Sequence, residues 1–309
     1  MALIHEPSCT LKKEVSIIAG PSSSDLATRI AKDLDAELVP VDCRIFADGE
    51  SKIKIDMTKK NHCIIVQSTY PPTDRHLLQA LMMIKKCTDC RAVNVYIVMP
   101  YMAYARQDRA FLEGEVISIA LVAKLLEAVG TKRLITVDIH SLLALSYFTI
   151  DVQNISSIPL LANYAANNMK LHRPIIVSPD LGGIKRAVEF ANILKVDMIA
   201  LNKSRDRDTG KISIDEKLDS SVVGRDVLLV DDMISSGGSI VKACKVLKKN
   251  KSGKIYAICA HALLVGNAMQ NIKAAGVEQV IATNSIPSKS AKVDLSPLIS
   301  ENLRNLIQT

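Results

Sequence analysis

The segment 227–240 combines acids, glycines and hydroxyl groups at a spacing that suits a phosphorylated ligand. Four apolar residues lead into Asp231 and Asp232, and the stretch 235–239, Ser-Ser-Gly-Gly-Ser, leads into a helical pattern. Glycines let backbone amides approach a phosphate closely, and the amides that open a helix favour an anion. Adjacent carboxylates accept hydrogen bonds from neighbouring hydroxyl groups. The segment predicts a site for a phosphate that carries a diol; a Gly/Ser turn with acidic caps is the alternative.

The elements that must hold these residues alternate along the whole chain. Short, almost continuously apolar runs are typical of strands covered on both faces, and amphipathic stretches lie between them. The predicted strands are Val15–Ala19, Cys63–Gln67, Asn94–Met99, Leu134–Val137, Ile175–Val177, Met198–Leu201, Val227–Val230, Ile255–Ala260 and Gln279–Ala282. The predicted helices include Asp25–Asp35, Arg75–Lys86, Ile117–Val129 and Ile240–Lys249. This alternation predicts an α/β fold with parallel sheets.

Helix-capping residues and one non-periodic stretch refine this prediction. Ser24 or Asp25 is suited to cap the first helix, because a short side-chain oxygen accepts from free amides of the first turn. Gly130 follows the third helix, where a glycine is favoured. The non-periodic stretch Thr149–Pro159 is the best break between two α/β halves.

Three predicted strands run into a carboxylate, at Asp138, Asp180 and Asp231. A single acid at such a place is explained by a helix cap. Ligands of open parallel sheets bind at the carboxyl ends of the strands. The repetition therefore favours a ligand site at this edge.

The composition excludes some classes of function. The chain has 309 residues, a net charge of +7 and a hydrophobic fraction of 48%, which suits two globular domains. The basic residues come as scattered pairs and only 4% of the residues are aromatic, whereas nucleic-acid-binding proteins concentrate basic residues or add stacking aromatics. We expect no nucleic-acid partner and an attraction for small polyanions.

The seven cysteines show no disulfide framework, and the lone pair Cys87 and Cys90 lacks the second pair that a zinc site needs. Reduced thiols are expected, which indicates a cytoplasmic protein. No apolar run reaches the roughly 18 residues that a membrane span needs. The N-terminus carries no apolar signal core. We therefore expect no membrane partner.

The 227–240 segment resembles the loop that binds phosphoribosyl diphosphate (PRPP) in phosphoribosyltransferases and PRPP synthetases. Five more segments resemble synthetase motifs, in order across nearly the whole chain: Arg44–Glu50 (F-x-D-G-E), Pro100–Arg109 (P-Y-x-x-Y-A-R-Q-D), Val137–His140 (D-L-H), Ser178–Gly183 (S-P-D-x-G-G) and Thr283–Pro287 (T-N/D-T-I-P). Ordinary phosphoribosyltransferases lack the second and third of these five. The sequence is therefore identified as a member of the ribose-phosphate diphosphokinase (PRPP synthetase) family.

The resemblance implies transfer of the β,γ-diphosphate of ATP to the C1 hydroxyl of ribose 5-phosphate, which gives PRPP and AMP. It implies two phosphoribosyltransferase-like α/β domains, 1–156 on the ATP side and 157–309 on the ribose 5-phosphate side, with the last residues packing back on the first domain. The active site is expected between the domains, in a homo-oligomer. Two other functions stay open: a phosphoribosyltransferase that consumes PRPP, and a non-catalytic regulatory subunit.

The resemblance also implies roles in ATP binding. The implied residues are Phe46, Asp48, Glu50, Arg106, Gln107, Asp108 and His140. Phe46 would lie against adenine, and Arg106 would hold phosphate as a forked cation. The alternatives are a core role for Phe46, a surface ion pair between Arg106 and Asp108, and a structural role for His140.

For ribose 5-phosphate the implied residues are Asp231, Asp232, Ser235, Ser236, Gly237, Gly238 and Ser239. Asp180, Gly182 and Gly183 would form a loop for the diphosphate; an acidic turn before a helix is the alternative. His140 and Asp180 would hold Mg²⁺, which favours hard oxygen ligands.

Lys203 and Arg205 match the basic pair of the family's catalytic loop, and with His140 they are the implied catalytic residues. They begin a polar stretch that runs to Gly224, and its composition indicates a surface loop. A loop that closes and delivers cations to the transferring phosphate would stabilise its developing charge and exclude water.

Two departures from the family pattern matter. Ser235 stands where bacterial and animal synthetases carry Asp, and Ser236 and Ser239 replace Thr, so the hydroxyl groups are kept. The stretch Ala110–Ser118, with Glu-Gly-Glu at its centre, replaces a Lys/Arg-rich S-R-A-P segment and resembles archaeal members. Hexamer formation and inhibition by ADP are therefore not carried over.

Overall fold

The chain divides into two compact units. The computed structural model describes residues 14–57, 62–201, 203–205, 212–214 and 222–307. Unit 1 contains the described residues up to Ile155, together with Ser285–Pro287 and those from Asp294 onward. Unit 2 contains Ser156–Asn284 and Ser288–Val293.

Unit 1 is built on a sheet of six parallel strands. Its strands are β1 (Val15–Ala19), β2 (Glu37–Pro40), β3 (Asp42–Ile45), β4 (Ser51–Lys54), β5 (His62–Val66), β6 (Asn94–Met99), β7 (Arg133–Val137) and β8 (Asp151–Ile155). The order in the sheet is β2-β1-β5-β6-β7-β8, and β3 and β4 form a separate antiparallel hairpin. The helices α1 (Ser24–Leu34), α2 (Thr73–Asp89) and α3 (Ser118–Ala128) connect the strands.

Unit 2 has a second six-stranded parallel sheet, in the order β10-β9-β13-β14-β15-β16. Its strands are β9 (Ile175–Ser178), β10 (Met198–Ala200), β11 (Lys203–Arg205), β12 (Ile212–Ile214), β13 (Val227–Ile234), β14 (Ile255–Ala262), β15 (Val277–Thr283) and β16 (Ala291–Val293). Its helices are α4 (Ile158–Asn168), α5 (Ile184–Leu194), α6 (Gly238–Lys249) and α7 (Ala268–Ala274). As in unit 1, an antiparallel hairpin, β11–β12, separates the second sheet strand from the third.

The interior strands are apolar because helices cover both faces of each sheet. Ile17 and Ile18 are neighbours on β1 and point to opposite faces, yet both are fully buried. Leu228 and Leu229 repeat this on β13. The predicted α/β fold with two parallel sheets is confirmed.

An edge strand and one helix cap differ from the prediction. β8 lies within the stretch predicted to lack periodic structure, because an edge strand exposes one side and needs no continuous apolar run. Gly130 follows α3 with a φ of +103°, as expected. The predicted cap of α1 is wrong: Ser23 occupies that position without a capping hydrogen bond, and its Oγ accepts from the Ser68 amide at 2.9 Å.

The C-terminal helix α8 (Ser296–Ile307) belongs to unit 1 and packs on α1. Ile299 and Leu303 are fully buried. The Arg304 guanidinium donates to the Asp33 carbonyl, and Arg29 pairs with Asp294 at 3.2 Å. The last element of the chain thus completes the core of the first unit.

None of the helices in the described part of the chain is long and apolar enough to cross a membrane.

Candidate active site

The acidic pair lies at the carboxyl end of β13. This strand continues four residues beyond the predicted Val230, so Asp231 and Asp232 belong to the strand itself. Asp231 is half-buried and Asp232 is 4% exposed. The Asp232 amide donates to Asp231 Oδ1 at 2.9 Å, and its carboxylate lies 3.4 Å from Arg186 Nη2 on α5. The two carboxylates are therefore held close together, with one cation beside them.

The electrostatics of this pair follow from the crowding. Burial raises the pKa of Asp231 well above its usual range, and the neighbouring Asp232 and then Asp180 raise it further. Arg186 opposes the shift. Asp231, Asp232 and Asp180 carry more negative charge than Arg186 neutralises, so this strand end suits hydroxyl donors or a cation.

The turn after β13 has the backbone that a phosphate site needs. Gly237 caps α6 with a φ of +76°, a conformation that favours glycine. A Cβ at this position would lie 2.8 Å from Ile272 Cδ1 on α7. Ser236 and Gly238 are exposed, and the first turn of α6 contains no acidic residue to compete with an anion.

The Asp180 loop follows β9, the neighbour of β13. Asp180 Oδ1 accepts from the Gly183 amide at 3.1 Å, and Ser178 Oγ donates to the Asp180 carbonyl at 2.7 Å. A Cβ on Gly183 would lie 2.6 Å from Ser178 Oγ, so a larger residue here would have to displace the Ser178 hydroxyl. Asp180 therefore caps a short 3-10 turn, Leu181–Gly183, as the acidic-turn alternative expects. Its role toward a diphosphate remains a prediction.

In unit 1, the loop after β6 carries three of the predicted ATP residues, Arg106, Gln107 and Asp108. Tyr104 has a φ of +65°, and its hydroxyl donates to Asp74 on α2, which raises the pKa of Tyr104 to about 12. Arg106 is exposed and Gln107 is half-buried. A non-glycine residue with positive φ is strained and is common at functional sites.

The Asp108 carboxylate is buried and accepts hydrogen bonds from neighbouring side chains. It is 5% exposed, accepts from Arg109 Nε at 3.2 Å, and accepts from Ser141 Oγ. These two donors hold its pKa below the usual range. The alternative ion pair between Arg106 and Asp108 is wrong, because Arg109 is the partner.

The loop after β7 lies beside it. Asp138 has a φ of +38°, and the next amide, of Ile139, donates to Asn154 Oδ1 at 2.9 Å. His140 follows and is exposed. The bond from Ser141 to Asp108 ties this loop to the one after β6, so His140 and Arg106 lie on neighbouring loops at one edge of the sheet.

Phe46 lies at the tip of the β3–β4 hairpin and is 38% exposed, so the core alternative for it is wrong. The tip is closed by Phe46 and Glu50, whose amide and carbonyl lie 2.9 Å apart, and Asp48 Oδ1 accepts from the Glu50 amide at 3.1 Å. The Arg44 guanidinium lies 5.2 Å from the centre of the Phe46 ring. An exposed aromatic ring flanked by acids is available to a nucleobase.

Two residues that sequence reasoning missed support these positions. Gln79 on α2 is 2% exposed and donates from Nε2 to Cys43 Sγ at 3.3 Å and to Ser51 Oγ at 3.2 Å, one on each hairpin strand. Arg186 faces Asp232, as described above. Neither belongs to a recognisable motif. Gln79 interrupts an apolar helix face, which is the one signal that was available for it.

Lys203 and Arg205 lie on β11, whose backbone pairs with β12. Their side chains, and most of the polar stretch up to Gly224, lie outside the described residues. Across the described ranges, no three or more His, Cys, Asp or Glu side chains group to hold a metal ion.

These features define a class of protein. It is an α/β protein of two topologically similar parallel-sheet units, with ligand-binding residue types at the carboxyl ends of the strands. Residues 15–130 match the family described as the N-terminal domain of ribose phosphate pyrophosphokinase, and residues 216–309 match the phosphoribosyl synthetase-associated domain.

Relatives match over nearly the whole chain. The ribose-phosphate pyrophosphokinase of Methanopyrus kandleri is 36% identical over 94% of this chain and 99% of its own. Those of Sulfurisphaera tokodaii and Listeria ivanovii are 33% identical over 93% of this chain and over 99% and 92% of their own. The crystal structure of phosphoribosylpyrophosphate synthetase from Mycobacterium smegmatis is 27% identical, has a TM-score of 0.85 and covers 96% of this chain and 99% of that one. The chain belongs to the ribose-phosphate pyrophosphokinase family.

Proposed function

We propose that this protein transfers the β,γ-diphosphate of ATP to the C1 hydroxyl of ribose 5-phosphate, which yields PRPP and AMP. The observation that carries the proposal is identity of 33–36% to named ribose-phosphate pyrophosphokinases over 93–94% of the chain. The candidate residues of both units lie at the strand ends where such substrates bind.

ATP lies on the unit 1 residues. The exposed ring of Phe46 takes the base, and Asp48 and Glu50 lie beside that ring at the hairpin tip. Arg106, Gln107 and His140 face the ligand from the loops after β6 and β7. Asp108 positions these loops through Arg109 and Ser141, because its carboxylate is buried.

Ribose 5-phosphate lies on unit 2. The turn 235–239 and the opening amides of α6 hold the phosphate, and the hydroxyls of Ser235, Ser236 and Ser239 add donors. Asp231 and Asp232 accept hydrogen bonds from the sugar hydroxyls. Asp180, with Gly182 and Gly183, faces the diphosphate of the product.

The reaction is an in-line displacement. The C1 oxygen of the sugar forms a bond to the β-phosphorus of ATP, and its proton is released to water. The bond from the β-phosphorus to the oxygen that links it to the α-phosphorus breaks, and AMP leaves with that oxygen. Lys203 and Arg205 stabilise the charge that develops on the transferring phosphoryl group, and His140 lies beside the ATP phosphates.

Mg²⁺ fits this chemistry. Magnesium is commonly bound by one or two carboxylates together with substrate phosphates and water. The crowding of Asp231, Asp232 and Asp180 supplies hard oxygen ligands, and the described residues form no complete metal cage. His140 and Asp180 would hold the ion, and the ion would supply positive charge to the phosphate oxygens.

The test is a coupled assay with ATP, Mg²⁺ and ribose 5-phosphate, which should produce equal amounts of AMP and PRPP. Production of ADP would contradict the proposal. A phosphoribosyltransferase would instead release diphosphate from PRPP and a nucleobase without ATP. A non-catalytic subunit would give neither result.

We also propose that the protein assembles with copies of itself through unit 1. Its support is a run of exposed apolar side chains around α3 and the adjoining 3-10 turn Leu142–Tyr147. The exposed residues are Phe111, Leu112, Val116, Leu121, Leu125, Leu142 and Leu143. Exposed apolar surface of this kind marks interaction sites. Light scattering on the purified protein should give at least twice the 33.7 kDa chain mass, and Leu121→Glu should lower it.

A cytoplasmic location is proposed as well, because the six cysteines in the described ranges are free thiols.

A further inference from the structure

Glu115 organises the loop that departs from the family pattern. This loop joins the candidate ATP residues to α3, and Gly114, with a φ of +83°, turns it back on itself. Glu115 Oε2 accepts from the Phe111 amide at 2.8 Å and from the Leu112 amide at 3.2 Å. The same oxygen accepts from Gln107 Nε2 at 3.0 Å. These donors lower the pKa of Glu115, so it is a carboxylate at neutral pH.

The contact decides which way the Gln107 amide points. Gln107 Nε2 also donates to the Arg109 carbonyl at 3.2 Å. A carboxylate and a carbonyl only accept, so the amide nitrogen must face them and Oε1 must face away. The backbone of Gln107 is fixed as well, because its amide donates to the Tyr104 carbonyl at 3.0 Å. Gln107 therefore offers a ligand an acceptor.

We propose that Glu115 is a positioning residue for base selectivity: by holding Nε2 of Gln107, it leaves Oε1 to accept from the exocyclic amino group of adenine. Guanine carries an oxygen, an acceptor, at the corresponding ring position. Two acceptors that face each other both stay without a hydrogen bond. A site built to accept a hydrogen bond from adenine therefore binds guanine poorly. The inference rests on the proposed function, because it needs the base of ATP to lie on this loop.

The test compares Glu115→Ala with Glu113→Ala. Glu113 has the same charge, is exposed, lies two residues earlier and makes none of these three hydrogen bonds. Steady-state kcat and KM are measured for ATP, GTP and ribose 5-phosphate, and folding is checked by melting temperature. For Glu115→Ala we expect the ratio of kcat/KM for ATP over GTP to fall about tenfold, because the freed amide can rotate and donate to guanine. The KM for ribose 5-phosphate and all Glu113→Ala values should stay unchanged.

Two further variants keep the test decisive if Glu115→Ala is unstable. Glu115→Gln retains an oxygen that can accept, so it should restore most of the selectivity. In a Gln107→Ala background, Glu115→Ala should have no further effect on selectivity, because its action passes through Gln107.

The proposal is overturned if ATP and GTP are affected equally, or if the two changes add in the double variant. Failure of the unaltered protein to form AMP would instead remove the proposed function. The two failures are thus separate.

Discussion

At the residue scale, the candidate residues of each unit include groups that lower the stability of the fold. Asp231 and Asp232 crowd one strand end, and Arg186 offsets part of their charge. Tyr104 and Asp138 add strained backbone on two neighbouring loops. Such features persist where ligand binding depends on them.

Asp231→Asn should stabilise the protein at neutral pH. A carboxylate whose folded pKa is raised stabilises the fold when protonated, and that contribution is lost as pH rises through the folded pKa. The amide removes this loss, so the melting temperature should rise by about 2–4 °C for each 1 kcal/mol gained at pH 7. The gain should shrink below the ordinary pKa of an aspartate.

Scanning calorimetry from pH 3 to pH 8 measures this effect, with Glu278→Gln, which changes an exposed carboxylate on β15, as the control. A loss of stability at pH 7 would show that the carboxylate pair is not strained. The same variant should raise the KM for ribose 5-phosphate more than that for ATP, because Asp231 is proposed to bind the sugar.

Lys203→Ala should lower kcat by roughly two orders of magnitude or more with little change in KM, because its cation is proposed to act mainly on charge that develops in the transition state. Lys245→Ala, at an exposed position on α6, is the matched control. Initial rates of AMP formation at varied ATP measure both constants. A raised KM with an unchanged kcat would make Lys203 a binder of the ground state.

The motif residues could be proposed from the sequence because their chemistry is local. Glycines, acids and hydroxyls in one short segment already indicate a phosphate site. Arg186 and Gln79 could not be found this way, since their partners lie 46 and 28 to 36 residues away in sequence and only the fold brings them together. The burial of Asp108 was equally invisible, because it depends on Ser141 in another loop.

At the element scale, the turn between β13 and α6 contains two glycines under different conformational restrictions. Gly237 needs positive φ and also faces Ile272 closely. Gly238 has neither restriction; the nearest atom to a Cβ there is Ser236 Oγ at 3.8 Å. The two neighbouring glycines therefore have different reasons to be glycine.

Gly237→Ala should destabilise the protein by about 1–3 kcal/mol, from backbone strain and overlap with Ile272. Gly238→Ala should change stability by less than about 1 kcal/mol, because alanine suits the first position of a helix. Urea unfolding followed by circular dichroism compares the two. Equal losses would mean that the left-handed turn is not a requirement.

Interior strands were predictable and edge strands were not. β5, β6, β7 and β14 are buried on both faces, so their composition alone marks them. β2 and β8 each leave a side exposed and carry mixed residues. The length of β13 was also missed, because Asp231 and Asp232 interrupt the apolar run before Met233 and Ile234.

At the scale of the whole molecule, the two units share one topology. Each has its second strand at the sheet edge, its first strand beside it, and a hairpin before the third. The hairpins occupy corresponding positions: β3–β4 ends in Phe46 and β11–β12 carries Lys203 and Arg205. The same insertion point thus carries the proposed base contact in one unit and the proposed catalytic cations in the other.

Leu303→Ala on α8 should destabilise unit 1 rather than unit 2. The side chain is fully buried, and such truncations cost about 2–5 kcal/mol. Hydrogen exchange should accelerate in α1 and β1, with little change in α6 and β14. Glu301→Ala, at an exposed position on the same helix, should leave exchange unchanged. Faster exchange in unit 2 alone would contradict the assignment of α8.

The packing of α8 on α1 has a consequence for folding during translation. The α1 segment is translated well before the helix that covers it, which ends at Ile307. At about 5–20 residues per second, the roughly 270 residues between them take on the order of 15–50 s to synthesise. Throughout that interval the nascent chain exposes an apolar helix face, which makes it a natural client for chaperones.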